Sequence, residues 1–485
     1  MPAHETVPGK QRLRLWWGLI LSAAIFLSAL GWQSGWLTPA DTTGPPVVSD
    51  AGRNEWFGIY QNNEKIGYAH RRLVSTPEGY RLSDDTFMRI NMMGMVQEIS
   101  LATGGTLNAD MSLKRFDVRL TSSRFVFNAR GTVTDGAVDL EVDGRHMSIP
   151  VATPVFLTNT VMDAAAAMTP TPGNTLTVRI FDPAAMAQRP VRVRYVGEAP
   201  MTVRGQPVTA RHLVLELMGT RQNVWMDASG HVLKEEGPLG MTLLAETSAA
   251  ATAGVSAAPL QDLTRLVAIA VNGELGDPRQ LKSLTLRITG LPSALDIIGG
   301  RQEVVNGALI LRREKIPPAG DPAEDMPLFL KPSPLVQSDA PEIIAAARKV
   351  VGDAATPLEK ARRLVAWVYR NVSKQPVLSV PNALEILDKK VGDCNEHAIL
   401  LAALGRAAGI PTRIEAGLVY MRGRFYYHAW NGFYLGRWIT ADAVFDQMPA
   451  DLSHIRLVIG GLERQIDLMG VIGQIAITIE ESVYD

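Results

Sequence analysis

The sequence predicts an α+β protein. Its C-terminal domain packs a cysteine-bearing helix on an antiparallel sheet, behind one or more antiparallel β domains and an N-terminal transmembrane helix. Three observations carry this. Residues 55–246 alternate apolar and polar, the period of half-buried strands. From Pro341 the apolar spacing turns helical, and after Pro411 it returns to strands. Leu15 to Trp32 is an uncharged apolar run of roughly 18 residues, just long enough to cross a bilayer.

Taken in order, residues 1–14 form a short basic N-terminus. Lys10, Arg12 and Arg14 precede the apolar run, and no Lys or Arg follows until Arg53, so 1–14 is expected in the cytoplasm and the body across the membrane. Residues 15–32 are the anchor, with Trp16, Trp17, Trp32 and Trp36 near the interfaces. A cleaved signal peptide is the alternative, since Ser28-Ala29-Leu30-Gly31 offers small residues to a peptidase. Either way the body is exported, to a periplasmic or extracellular side. Residues 33–54, rich in Pro, Ser and Thr, are a tether.

Residues 55–246 are the antiparallel β domain. Val138, Leu140 and Val142 alternate with Asp139 and Glu141 between turns at Asp135-Gly136 and Asp143-Gly144. A helical interruption falls near Asn159 to Met168. His70, His146, His212 and His231 are scattered through these strands without metal spacing and read as structural. Residues 247–262 are small and featureless, a linker. Residues 263–332 return to strands, as a small β module or the front wall of the C-terminal domain. Residues 333–485 hold two helices with apolar residues at helical spacing, the second opening on a capping box at Thr356 and Glu359.

The charge balance, 48 Lys+Arg against 49 Asp+Glu, gives no reason to expect nucleic acid as a partner. There is no Gly-rich phosphate loop, His-Glu-x-x-His pair or calcium loop, so no cofactor and no metal are expected. Cys394 is the only cysteine, so no intramolecular disulfide supports the exported body.

That cysteine sits in Val391-Gly392-Asp393-Cys394-Asn395-Glu396-His397-Ala398. Asp393 is placed as N-cap, the run to Ala408 is rich in helix formers, and Gly409-Ile410-Pro411 ends it. Backbone N–H groups at a helix start favour thiolate over thiol. Asp393 opposes this unless its carboxylate turns inward to cap the helix. A thiolate nucleophile needs a base and a group to orient the base. Downstream, His428 lies in the aromatic run Tyr426-Tyr427-His428-Ala429-Trp430, and Asp442 in the run after the turn at Gly436. Adjacent antiparallel strands would set them side by side. Other readings stay open: Cys394 as a buried hydrophobe, His397 as the base one helical turn away, and Asp446 in place of Asp442.

The Gly-Asp-Cys turn, the Gly-Ile-Pro-x-Arg helix end, the His-Ala-Trp strand and the Asp strand, in that order, resemble the transglutaminase-like domain, a branch of the papain-like cysteine enzymes. The resemblance spans roughly Ser333 to Val458 and implies a triad of Cys394, His428 and Asp442. It also implies acyl transfer from a peptide or protein amide through a thioester, with water or an amine as acceptor. The alternatives are a binding or scaffolding protein on a retired catalytic fold, and an envelope adaptor whose β modules do the work.

Overall fold

The computed structural model describes residues 52–485 apart from 123–124, 167–170, 218–219, 257–260, 293–294 and 317–325. The expected anchor and most of the tether lie outside the described residues. Among the described residues no helix is long and apolar enough to cross a membrane.

The first unit is a fourteen-stranded antiparallel sheet made of two meanders. One runs from Arg53–Gln61 to Arg145–Pro150, the other from Thr175–Asp182 to Met241–Glu246, and they join where the first strand pairs with the last, Phe57 opposite Ala245. The alternation sets which face is buried: Val138, Leu140 and Val142 are at most 4% exposed, with Asp139 between them turned outward. The segment after Pro150 crosses to the far edge, where Phe156 N–H donates to Arg179 O and Phe181 N–H to Phe156 O, both at 2.8 Å. The short helix Val161–Ala166 is buried against the sheet, tied through the Arg53–Asp163 pair at 2.7 Å. A cavity of roughly 210 Å³ remains, lined by Met88, Leu120, Phe181 and Val224 and by Arg71, Asp84 and Glu235.

The second unit is α+β. Its nine-stranded sheet runs, by edge order, Gln302–Val305, Ala308–Arg312, Leu281–Thr289, Ala476–Tyr484, Ile269–Asn272, Arg424–Tyr434, Thr412–Met421 and Ile455–Ile459, with Trp438–Ala441 paired onto Arg424–Tyr434. Residues 263–332 therefore form no sheet of their own. Leu281–Thr289 pairs with the C-terminal strand along its length, and Ile269 lies opposite Phe425. The sheet crosses the boundary expected at 332/333, because strands some 190 positions apart in sequence satisfy each other's backbone. The expected linker 247–262 also carries structure: Ser248–Thr252 is a short helix capped by Thr247, and Ala251 is fully buried.

Four helices cover this sheet near the site. In Pro357–Asn371 the capping box forms, Glu359 N–H donating to Thr356 Oγ1 at 3.2 Å and Thr356 N–H to Glu359 Oε2 at 3.1 Å. Ala361, Leu364, Val365 and Val368 turn inward. They pack on Cys394–Ala407, which is buried from Cys394 through Gly405 and lies between the other helices and the strands. A helix apolar nearly all round is a core helix, so its first turn is held on every side.

One contact between the two units lies just upstream of Cys394. Phe125 of the first unit clusters with Val377 and Val391, Lys389 stands over the Phe125 ring, and Val380 reaches the cavity of the first unit.

Candidate active site

Cys394 is the first residue of its helix and has no exposed surface. The turn before it depends on close packing: a Cβ on Gly392 would meet the Glu396 side chain at 2.2 Å. Asp393 accepts from Asn395 N–H at 3.0 Å, and Glu396 accepts in return from Asp393 N–H at 2.8 Å. The other Glu396 oxygen accepts from the Ser379 hydroxyl at 2.6 Å, which pins the loop before the helix to its first turn. Burial, then the adjacent Glu396 carboxylate, push Asp393 well above the usual carboxylate range. An Asp393 that holds its proton does not repel a thiolate beside it.

His428 lies on Arg424–Tyr434, opposite Gly417 on one neighbouring strand. On the other side Asn431 pairs with Ala441, which places Asp442 one residue beyond the ladder. The structure brings His428 and Asp442 together: Nε2 is 2.6 Å from Asp442 Oδ2, and neither side chain is exposed. Asp442 Oδ1 accepts from Val444 N–H at 2.6 Å, which fixes the carboxylate plane. His428 Nδ1 is buried and has no hydrogen-bond partner. Burial lowers the His428 pKa, and the Asp442 carboxylate opposes that shift. Burial alone would raise Asp442, but His428 and then His454 hold it far below the usual carboxylate range.

The helix start packs against the His428 strand. Asn431 donates across that contact to Ala398 O at 2.9 Å, and Asp442 lies close enough for its charge to act on His397 in the first turn. On these two elements five buried side chains hold polar atoms without a hydrogen-bond partner: Asn395 Oδ1 and Nδ2, His397 Nε2, Tyr427 Oη, His428 Nδ1 and Asn431 Oδ1. Buried polar groups are nearly always satisfied, so this concentration of unpartnered atoms singles the place out.

The rivals are placed elsewhere. His397 is turned back along its own helix, Nδ1 donating to Asp393 O at 2.6 Å, and burial lowers its pKa to about 4. It has no carboxylate partner. Asp446 is exposed and takes no part in the His428 pairing.

Sequence reasoning missed His454 and Asp451. His454 Nε2 lies 2.9 Å from Asp442 Oδ2, while Nδ1 faces Asp451 Oδ1 and Asp451 O at 3.2 Å each. Burial works against its charge, but Asp451 and Asp442 raise its pKa to about 9. The available signal was the Asp-Leu-Ser-His turn ahead of an apolar strand. Ser453 N–H and hydroxyl both bond Asp451 Oδ1, at 2.9 and 2.6 Å, but nothing local points back to Asp442. The approach requires Gly417, where a Cβ would meet Ile455 O at 1.9 Å. His428, Asp442 and His454 bring their polar atoms within 4.8 Å of one another, as one hydrogen-bonded set. As they stand, Asp442 Oδ2 already accepts from both rings.

The stretch 344–443, which holds the Cys394 helix, the His428 strand and Asp442, matches the model of the transglutaminase-like superfamily. No curated protein matches the chain. Among solved structures, a Cytophaga hutchinsonii protein described as a "Putative Cysteine Protease" is 19% identical, covering 43% of this chain and 86% of its own, at a TM-score of 0.27. The periplasmic domain of TgpA from Pseudomonas aeruginosa, bound to ethylmercury, is 16% identical, covering 38% and 93%, at 0.26. A beta-barrel-like protein of a domain family of unknown function from Brucella abortus is 11% identical, covering 41% and 96%, at 0.32. At TM-scores this low these likenesses decide nothing about chemistry.

Proposed function

We propose that the chain is an exported, membrane-anchored cysteine acyl-transfer enzyme acting on peptide or protein amides through a thioester. The observation that carries this is the orientation of His428: Nε2 is spent on Asp442 at 2.6 Å, and Nδ1 is left without a partner in the fold that carries Cys394 at a helix start. His428 takes the thiol proton, Cys394 attacks the amide carbonyl, and the tetrahedral oxyanion forms near the Cys394 backbone N–H. His428 then gives its proton to the leaving amine while Asp442 holds the ring and its charge. Attack on the thioester by water gives hydrolysis or deamidation; attack by an amine gives cross-linking. Export rests on the charge asymmetry around residues 15–32, which the positive-inside rule reads as an anchor.

A second reading, a scaffold on a retired catalytic fold, is favoured by one observation: Cys394, His428 and Asp442 are all fully buried. One experiment separates the two. An alkylating probe read by mass spectrometry at pH 6 and pH 8 labels an activated Cys394 quickly at both. A thiol unreactive at both, in folded protein, refutes the enzyme. For topology, a reporter active only outside the cytoplasm and fused after Asp485 is expected to be on; activity of a cytoplasmic reporter alone refutes export.

A further inference from the structure

The Asp442 carboxylate serves two histidines, and the triad uses only one. His454 is fully buried just ahead of Ile455–Ile459. Each of its ring nitrogens faces oxygen acceptors: Asp442 Oδ2 at Nε2, and the Asp451 carboxylate and carbonyl at Nδ1. A neutral imidazole donates from one nitrogen and turns a lone pair outward at the other. Here that lone pair would meet a buried oxygen on either side. Only the imidazolium, a donor at both nitrogens, satisfies the arrangement.

We propose that His454 is a positioning residue for the reaction proposed above: a buried imidazolium, fixed by Asp451, that holds Asp442 in place and shares its negative charge, so that His428 releases its proton more readily than beside an unshared carboxylate. The inference rests on the acyl-transfer reading for its consequence, and on the hydrogen bonds for the charge itself.

The surroundings support a held charge. The ionisable groups facing the ring are Asp442, Asp451 and His428, whose ring centroid is 5.6 Å away. Trp430 and Phe445 enclose it edge-on at 5.2 and 6.0 Å and carry no charge. Arg301 donates to the His454 carbonyl at 2.9 Å, and Glu314 lies 3.4 Å from that guanidinium, offsetting it. Lys374 lies close enough to feel the Asp442 charge. A strong acceptor under His428 stabilises its imidazolium, which helps form the ion pair with the thiolate but makes the ring slow to protonate the leaving amine. A second cation on the same oxygen moderates that. A unit charge 5.6 Å away at an effective dielectric of about 20 moves a titration by about two units; the Asp451 charge stays in place when the imidazolium is removed and drops out of the difference.

The test uses the full chain labelled with ¹⁵N-histidine and its His454→Gln variant, whose amide can still donate to Asp442 but carries no charge. In the wild type, His454 is expected to be protonated at both nitrogens at pH 7 and to titrate near pH 9; one bare nitrogen at pH 7 overturns the proposal. In His454→Gln, the His428 titration is expected to move up by about two units, and the alkaline limb of Cys394 alkylation with it. His454→Leu, with no donor, is expected to lower the rate at every pH. A merely structural His454 would lower rates without moving either titration, and an unmoved His428 in folded His454→Gln overturns the proposal. If that variant does not fold, His454→Asn, which also removes the charge and keeps an amide donor, carries the same test in the same direction. A wild-type thiol inert at every pH refutes the acyl-transfer reading alone, since the histidine titrations are read without activity.

Discussion

Replacing Asp442 by Ala is expected to damage the fold as much as the chemistry, and the size can be worked from the groups the carboxylate holds. Its Oδ2 accepts from His428 at 2.6 Å and His454 at 2.9 Å, and its Oδ1 from Val444 N–H at 2.6 Å, all without exposed surface. Removing it leaves a buried cation balanced on one side only and a backbone N–H without its partner. Breaking a buried ion pair by removing one member costs about 3–5 kcal/mol, and an abandoned buried donor about 1 kcal/mol or more. We take about 4 kcal/mol, a large share of the 5–15 kcal/mol typical of a domain. Hydrogen exchange in the amides of Ile455–Ile459 reads this unit apart from the first one. About 4 kcal/mol corresponds to exchange faster by about 10³-fold. The exposed control Asp446→Asn, which keeps a residue that tolerates the φ of 55° there, is expected within about 0.5 kcal/mol of wild type. The sign with pH is fixed as well. Asp442 ionises far below the unfolded value of about 3.9, so its contribution is present above that pH and lost as pH falls through the folded value. The gap between variant and wild type therefore persists at pH 5. An Asp442→Ala protein whose exchange rises less than about tenfold at neutral pH would refute the reasoning.

Cys394→Ala is expected to abolish turnover of an amide substrate and leave the circular dichroism spectrum unchanged, and adding His428→Ala should lower activity no further; full activity in folded His428→Ala would promote His397 as the base. Burial holds His397 at about pH 4, so the unfolded chain, with histidine near 6.5, takes up that proton first; stability should fall from pH 6.5 towards pH 4 by on the order of 3 kcal/mol from this site, and His397→Gln should flatten the urea midpoint across that range. Limited proteolysis is expected to give a stable fragment that starts near 262 rather than 333, because Leu281–Thr289 is paired along the C-terminal strand; a stable fragment lacking 263–332 would show that pairing to be dispensable. Phe125→Ala empties the cluster with Val377 and Val391 and is expected to cost about 3 kcal/mol and to speed Cys394 labelling, checked by urea denaturation and timed alkylation.

What the sequence made legible was local. Asp393, Gly409 and Pro411 mark the two ends of the Cys394 helix by cap and turn chemistry that works within a few residues. His428 and Asp442 sit on consecutive strands with a glycine turn between them, so a short-range hairpin argument brings them together. The same logic could not reach His454, since its approach depends on a third strand, Thr412–Met421, and on the missing side chain of Gly417 within it. Nor could it join 281–289 to 476–484: each reads as an apolar-alternating strand, and nothing in the alternation names a partner. Glu396 was visible in the sequence as one more helix former. Its role, tying Ser379 to the Asp393 turn, exists only once the loop before the helix has folded back onto it.

That loop also bears on the complete burial of the site. Residues 376–383 are buried throughout, and the cover comes partly from the first unit, through Phe125 on Val377 and through Val380 in the cavity between the strands. Polar atoms on Asn395, Tyr427, His428 and Asn431 meanwhile have no partner beneath. A site stocked with unsatisfied donors and acceptors gains from a ligand, and this one is reached only when something over it moves. Among the contacts joining the two units, the one made by Phe125 is set directly on the segment leading into Cys394. Loosening it should therefore change how fast the thiol is reached without altering the His428–Asp442 geometry, which is built wholly within the second unit. Faster alkylation of Phe125→Ala with an unchanged pH profile is the signature of a cover. A changed profile would mean that the first unit also sets the electrostatics of the site.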